Sequence, residues 1–127
     1  MREAIEAFLS QSSFAVAGAS TDRSKYGNRV LRHYRAAGRQ AYALNPKATE
    51  IEGEPAYPDL AALPEMPAAL SIVTPPAVTE RVVDEALQLG IRHIWMQPGA
   101  ESQVAIDRAI EAGVEVIHGG ACVLVEL

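Results

Sequence analysis

An α/β fold is predicted: a single domain built on a doubly wound parallel sheet with helices on both faces. Three observations predict it. Short apolar runs alternate with helix-spaced segments of roughly 10–14 residues, the pattern of successive βαβ units. Two of those runs, Leu70–Val73 and Ile91–Trp95, are almost continuously apolar, as strands covered on both sides are. Four runs end in short polar or glycine/proline knots, at Gly18–Ser20, Asn45–Lys47, Thr74–Pro76 and Gln97–Gly99. In a parallel sheet these knots share the carboxyl edge, where such folds hold their ligands. A chain of 127 residues is long enough to bury a core without staples.

The elements follow in order. Residues 2–9 predict a short helix with Ile5, Phe8 and Leu9 on one face. A strand over 13–18 breaks at Gly18, and a loop leads to a helix over 26–37, where Val30, Leu31, Tyr34 and Ala37 keep helical spacing. Gly38 ends that helix. Ala41–Leu44 reads as the second strand, stopped by Asn45-Pro46-Lys47. Five breakers between Gly53 and Pro67 leave room only for a short strand near Glu54–Tyr57 and a helical turn near Asp59–Leu63. Ala69–Val73 is the next strand, followed by a helix capped by Thr74, with proline in its first turn and Gly90 at its end. Ile91–Met96 is a strand, residues 101–112 a helix, and Val114–Ile117 the last clear strand; Ala121–Val125 reads as an extended tail. Right-handed crossovers then give a Rossmann-like sheet.

Composition narrows the classes of function. No apolar run approaches the roughly 20 residues that span a bilayer, and the acid-bearing N-terminus is unlike a signal peptide. One cysteine, Cys122, excludes an internal disulfide framework and fits a reducing compartment, so the cytoplasm is the expected location. The net charge of −5 argues against nucleic-acid binding, yet seven of the eleven Lys and Arg residues lie between Ser20 and Lys47, where Asp22 is the one acid. A local positive field on an acidic chain points to a compact anionic ligand. Arg32, Arg35 and Arg39 read as a solvated helix face. Arg23, Lys25, Arg29 and Lys47 crowd a helix N-terminus, which disfavours cations unless an anion joins them.

The loop at Gly18-Ala19-Ser20-Thr21 suits a phosphate. Gly18 allows close backbone approach, the hydroxyls of Ser20, Thr21 and Ser24 donate, and the following helix presents unpaired N–H groups. The dinucleotide fingerprint Gly-x-Gly-x-x-Gly is incomplete, since the next glycine is Gly27, and no acid follows strand two. Lys47 stands there instead and would welcome a phosphate on the adenosine ribose. NADP or a 3′-phosphorylated adenosine is therefore favoured over plain NAD.

The residues resemble the CoA-binding domain proteins, similar to the N-terminal domain of the succinyl-CoA synthetase α subunit. The resemblance runs from about Phe8 to Cys122. It rests on Val16–Ser20, Lys25-Tyr26-Gly27, Tyr42–Lys47, Ile51-Glu52-Gly53, Val73–Pro76 and Ile94–Gly99. It implies a coenzyme A or acyl-CoA site along the carboxyl edge. Gly18, Ala19, Ser20 and Thr21 would meet phosphates, with Lys25 and Tyr26 nearby. Asn45, Pro46 and Lys47 would surround the phosphoadenosine, Val73, Thr74 and Pro75 would line the adenine or pantetheine path, and Gln97 and Gly99 would be peripheral. The phosphorylated histidine of the larger synthetase lies on a domain with no counterpart here, so the resemblance implies binding without catalytic machinery. An NADP-dependent oxidoreductase or sensor, and one chain of a split acyl-CoA synthetase, are the alternatives. A homodimer or a synthetase chain would be the protein partner.

No residue reads as catalytic. His33 falls within the basic helix and reads as a surface residue, and His93 opens an apolar strand. His118 precedes Gly119-Gly120 near the binding edge, but no orienting partner is evident for a phosphohistidine or general base. Cys122 and Trp95 read as core, although a mixed disulfide between Cys122 and the thiol of CoA is conceivable. No His/Cys/Asp/Glu grouping has metal-ligand spacing.

Overall fold

The computed structural model describes residues 1–127. Its strands are β1 (Phe14–Ala17), β2 (Ala41–Leu44), β3 (Glu50–Ile51), β4 (Glu54–Tyr57), β5 (Ala69–Ile72), β6 (His93–Met96) and β7 (Glu115–Ile117). Its helices are α1 (Arg2–Leu9), α2 (Tyr26–Ala36), α3 (Pro76–Gln88), α4 (Gln103–Glu111) and α5 (Val123–Glu126), with a 3₁₀ turn at Leu60–Ala62. The strands form one sheet in the order β3-β4-β2-β1-β5-β6-β7, parallel except for the β3–β4 hairpin. The chain winds outward from β1 to β2 and β4, then crosses back to β5 and winds the other way through β6 and β7. Winding therefore reverses between β1 and β5, and the crevice over their carboxyl ends is where a sheet of this kind takes a ligand.

Alternation along each strand divides the apolar side chains between two cores. Ala15, Ala17, Leu70, Ile72, Ile94 and Met96 face α3 and α4, where they meet Val83, Ala86, Ala105, Ile106 and Ala109. Phe14, Val16, Ala69, Trp95 and Ile117 face the other way, against Ile5 and Phe8 of α1, Val30, Leu31 and Tyr34 of α2, and Val123 of α5. Phe14 stacks on Tyr34 at 4.8 Å, and Phe8 meets Trp95 edge-on at 5.3 Å. The buried Tyr34 hydroxyl lies 2.6 Å from the Ser71 hydroxyl, so neither is left unpaired.

Several expectations are corrected. Thr74 does not cap α3: Pro75 holds that position, and the Thr74 hydroxyl pairs with that of Thr79 at 2.8 Å. The strand expected from Ile91 begins at His93, because the Ile91 N–H bonds Ala86 O and closes α3. Helix α4 starts at Gln103, where Ser102 Oγ accepts the Ala105 N–H. The expected extended tail is a helical turn. Trp95 Nε1 donates to Ala121 O and the Val123 N–H to Gln97 Oε1, which pins its start, and Cys122 O then accepts from Val125 and Glu126. Strand β3 was not foreseen; Glu52 (φ 52°) and Gly53 (φ 80°) both turn left-handed, as a two-residue hairpin loop requires.

Arg32, Arg35 and Arg39 are half-buried rather than a solvated face. They donate to Arg23 O, Ala41 O and Leu9 O respectively, tying α2 to its surroundings. His33 is likewise half-buried, with Nε2 sealed from solvent, and His93 Nδ1 lies 3.9 Å from Glu115.

Candidate functional site

The site grows from the end of β1. Gly18 turns the chain with φ +93°, and a Cβ there would lie 2.2 Å from Val73 O at the end of β5. Gly27, in the first turn of α2, rides equally close: its Cβ would lie 1.9 Å from Gly18 O. The spacing Gly18-x-Gly is absent, but Gly27 supplies the close helix–strand packing that the third glycine of the dinucleotide fingerprint supplies elsewhere. Between the two glycines the loop is held by its own polar groups. Ser20 Oγ accepts the Asp22 N–H, and Asp22 Oδ1 accepts both the N–H and hydroxyl of Ser24. Those Ser24 bonds hold the Asp22 carboxyl below its usual range. Thr21 is exposed beside them.

Helix α2 begins with Lys25 at its cap position and no side-chain cap, and its first turn holds no acid. The N–H groups of Tyr26, Gly27 and Asn28 find no acceptor in the fold, so the positive helix end faces the loop. Lys25, Arg29 and Lys47 are exposed and hold no carboxylate; of the four cations that crowd this end, Arg23 alone is paired, with Glu52 at 3.3 Å.

Two asparagines brace the loop from behind. Asn28 is fully buried; its Nδ2 donates to Ser20 O at 2.8 Å and to Glu52 at 3.1 Å, while its Oδ1 accepts from Arg32. The Asn28 bond, aided by Arg23, holds the Glu52 carboxyl below its usual range. Asn45, after β2, donates to Ala19 O at 2.9 Å and accepts from the N–H groups of Lys47 and Ala48. These bonds tie the loop after β2 to the loop after β1, and one Nδ2 hydrogen of Asn45 stays uncommitted within the fold. Asn28→Ala is expected to cost about 1–3 kcal/mol, the range for orphaned buried partners. Chemical denaturation measures it, and unchanged stability would show that Ser20 O does not depend on this brace.

The carboxyl edge carries two hollows that meet at Thr74. One, about 350 Å³, is lined by Ala17, Gly18, Leu44, Asn45, Pro46 and Thr74, together with Pro58, Asp59 and the α3 residues Val78, Arg81, Val82 and Glu85. The other, about 300 Å³, is lined by Val73, Thr74, Pro75, Pro98, Gly99 and Ala100. Gly18, Asn45, Pro46, Val73, Thr74, Pro75 and Gly99 are thus brought together along one track. Pro58, Asp59 and the α3 residues escaped sequence reasoning. The apolar spacing of Val78 and Val82 marked them as core, and only the start of α3 at the carboxyl edge places them beside the track. A larger hollow, about 500 Å³, lies at the far end of β2, where the Arg35 and Arg39 guanidinium groups are engaged with backbone carbonyls. That hollow lacks the loops and free helix end that hold an anion.

Tyr26 and Gln97 line neither of the two carboxyl-edge hollows. The Tyr26 hydroxyl donates to Gln97 Oε1 at 3.2 Å and lies 2.7 Å from Cys122 Sγ. Gln97 is fully buried, and its Oε1 also accepts the Val123 N–H. Burial and the Cys122 contact push the Tyr26 phenol well above its usual range, so it stays protonated. The half-buried Cys122 therefore belongs to a small polar cluster rather than to an apolar core.

The sequence profile described as CoA binding domain matches residues 12–127. The chain belongs to the CoA binding domain family. Among solved structures it is similar to a conserved hypothetical protein from Pyrococcus furiosus, with 36% identity and a TM-score of 0.85, over 91% of this chain and 98% of that one. A hypothetical protein from Pyrococcus horikoshii OT3 superposes with a TM-score of 0.88 at 25% identity, over 95% and 84%. The acetate–CoA ligase [ADP-forming] I of Archaeoglobus fulgidus is 38% identical over 71 residues, 56% of this chain but 10% of the ligase. The dinucleotide-forming acetyl-coenzyme A synthetase 1 of Ca. Korarchaeum cryptofilum, apo form, matches with 29% identity and a TM-score of 0.72, over 83% of this chain and 25% of that one. The chain thus spans a tenth to a quarter of these larger enzymes. The family relation supports CoA and gives no support to NADP. No helix is long and apolar enough to cross a membrane.

Proposed function

We propose that residues 1–127 form one binding unit for coenzyme A or an acyl-CoA, without catalytic groups of its own. The observation that carries this reading is the track on the carboxyl edge, to which the loops after β1, β2, β4, β5 and β6 all contribute, in a chain of the CoA binding domain family. Phosphates would settle on Gly18, Ala19, Ser20 and Thr21 and the open N–H groups of α2, with Lys25 alongside. The phosphoadenosine would fill the larger hollow beside Asn45, Pro46 and Lys47. The pantetheine arm would run past Thr74 into the hollow of Val73, Pro75 and Gly99. Tyr26 and Gln97 would support the loop from beneath, without touching the ligand.

Calorimetric titration with CoA, dephospho-CoA, NADP and NAD tests this. CoA is expected to bind tightest and NAD not at all; tighter NADP binding would overturn the reading. Lys47→Glu should weaken CoA by about tenfold or more, the scale of a lost charge-assisted bond, while dephospho-CoA changes little. Equal losses for both ligands would sink the contact between Lys47 and the 3′-phosphate.

The likeness to the ligase and the synthetase favours a second reading, in which the chain holds CoA for a separate synthetase chain. Acyl-CoA formation only when such a chain is added would establish it.

A further inference from the structure

On the carboxyl-edge hollow of about 350 Å³, helix α3 places one cation that the loop motifs do not include. Arg81 lines it, is exposed, and makes neither an ion pair nor a hydrogen bond within the fold. Its natural helical partner is Glu85, one turn further on, since i,i+4 pairs of opposite charge meet on a helix surface. Glu85 is occupied elsewhere. Its two carboxylate oxygens accept the Leu60 and Ala61 N–H groups at 3.1 and 3.3 Å, capping the 3₁₀ turn. The other acid of the hollow, Asp59, accepts the Ala62 N–H at 3.0 Å. Both negative groups on this wall are thus committed to backbone donors, and Arg81 is the free charge.

Asn45-Pro46 also lines the hollow, and the next residue is Lys47, likewise exposed and unpaired. Much of the remaining lining is apolar: Leu44, Pro46, Pro58, Val78 and Val82. An apolar slot of about 350 Å³ has room for a purine, and a guanidinium on its wall with an ammonium one residue beyond Pro46 suits a dianionic group on the sugar attached to it. A guanidinium also offers a planar fork that pairs with two phosphate oxygens at once, which an ammonium does not.

We propose that Arg81 is a specificity-determining residue, which reads a phosphate on the ribose of a purine nucleotide together with Lys47. The assignment rests on the CoA-binding reading above and adds a second, helix-borne reader to it. Lys47 then supplies a point charge from a loop, and Arg81 a directional contact from a rigid helix.

The test is titration of the wild-type chain, Arg81→Ala, Arg81→Lys, Lys47→Ala and the double variant with CoA and dephospho-CoA, with thermal unfolding of each. Arg81→Ala is expected to weaken CoA about tenfold and dephospho-CoA less than about twofold, at unchanged melting temperature, since the side chain is exposed. Arg81→Lys should recover only part of the loss, because the charge remains and the fork does not. The double variant should lose less than the product of the single losses, because the two side chains share one phosphate. Equal weakening of both ligands, or none, overturns the role of Arg81 while leaving CoA binding intact. If the wild-type chain binds neither ligand, the CoA reading falls, and this assignment falls with it.

Discussion

Gly27→Ala is expected to destabilise the domain by about 3 kcal/mol, the upper part of the range for overpacking, and to abolish ligand binding. The added Cβ would lie 1.9 Å from Gly18 O, 2.9 Å from Gly18 C and 3.3 Å from Ala19 Cα. All three are backbone atoms, so no side-chain rotation relieves the clash. Helix α2 must lift from the end of β1, drawing Asn28 away from Ser20 O and the open N–H groups away from the loop. A loss of this size is a large part of the roughly 5–15 kcal/mol that holds a domain together. Gly38→Ala is the control: its φ is +77°, but a Cβ there meets nothing within 4 Å, so only about 1 kcal/mol of left-handed strain is expected. Urea unfolding and CoA titration of both variants decide the matter. If Gly27→Ala matches the control, helix–strand contact is not what fixes the loop.

The second large effect is expected at Trp95. Trp95→Ala should cost about 3–5 kcal/mol, as large aromatic deletions in a core do. The side chain is fully buried, meets Phe8 edge-on, and its Nε1 donates to Ala121 O at 3.0 Å. Trp95→Phe separates packing from bonding. It keeps most of the ring but orphans Ala121 O, so about 1–2 kcal/mol should be lost and the segment carrying Cys122 and α5 should loosen. The readout is alkylation of Cys122 under native conditions, which should be faster in Trp95→Phe. An unchanged rate would show that Gln97 and the α5 packing hold that segment without help from the indole.

Much of this architecture was legible because parallel sheets write themselves plainly. Buried strands such as Ala69–Ile72 are almost continuously apolar, a glycine follows each of α2, α3 and α4, and the polar knots must share one edge. The position of Gly18, Asn45 and Thr74 on the carboxyl edge could be read from their place after a strand. What stayed hidden depends on pairing across the fold. The third-glycine function of Gly27 lies outside the usual spacing and shows only when α2 is seated on β1. The bracing bonds of Asn45 to Ala19, Lys47 and Ala48 likewise show only once the loops after β1 and β2 are side by side. The burial of Gln97 and its bonds to Tyr26 and Val123 join residues 26, 97 and 123, which lie far apart in the sequence. Arg81 carried no sequence signal because its freedom follows from Glu85 being claimed by a 3₁₀ turn about 25 residues upstream.

The two outermost strands bear on how the domain keeps company. β3 has two residues and β7 three, and their outward positions include the exposed Glu50 and Glu115, with the exposed Pro55 opposite Glu50 in the hairpin. A neighbouring chain that tried to extend the sheet would find too few backbone groups to pair with, and carboxylates in its path. Crowded copies are thereby discouraged from zipping together edge to edge. The helical layers remain the surfaces open to a partner.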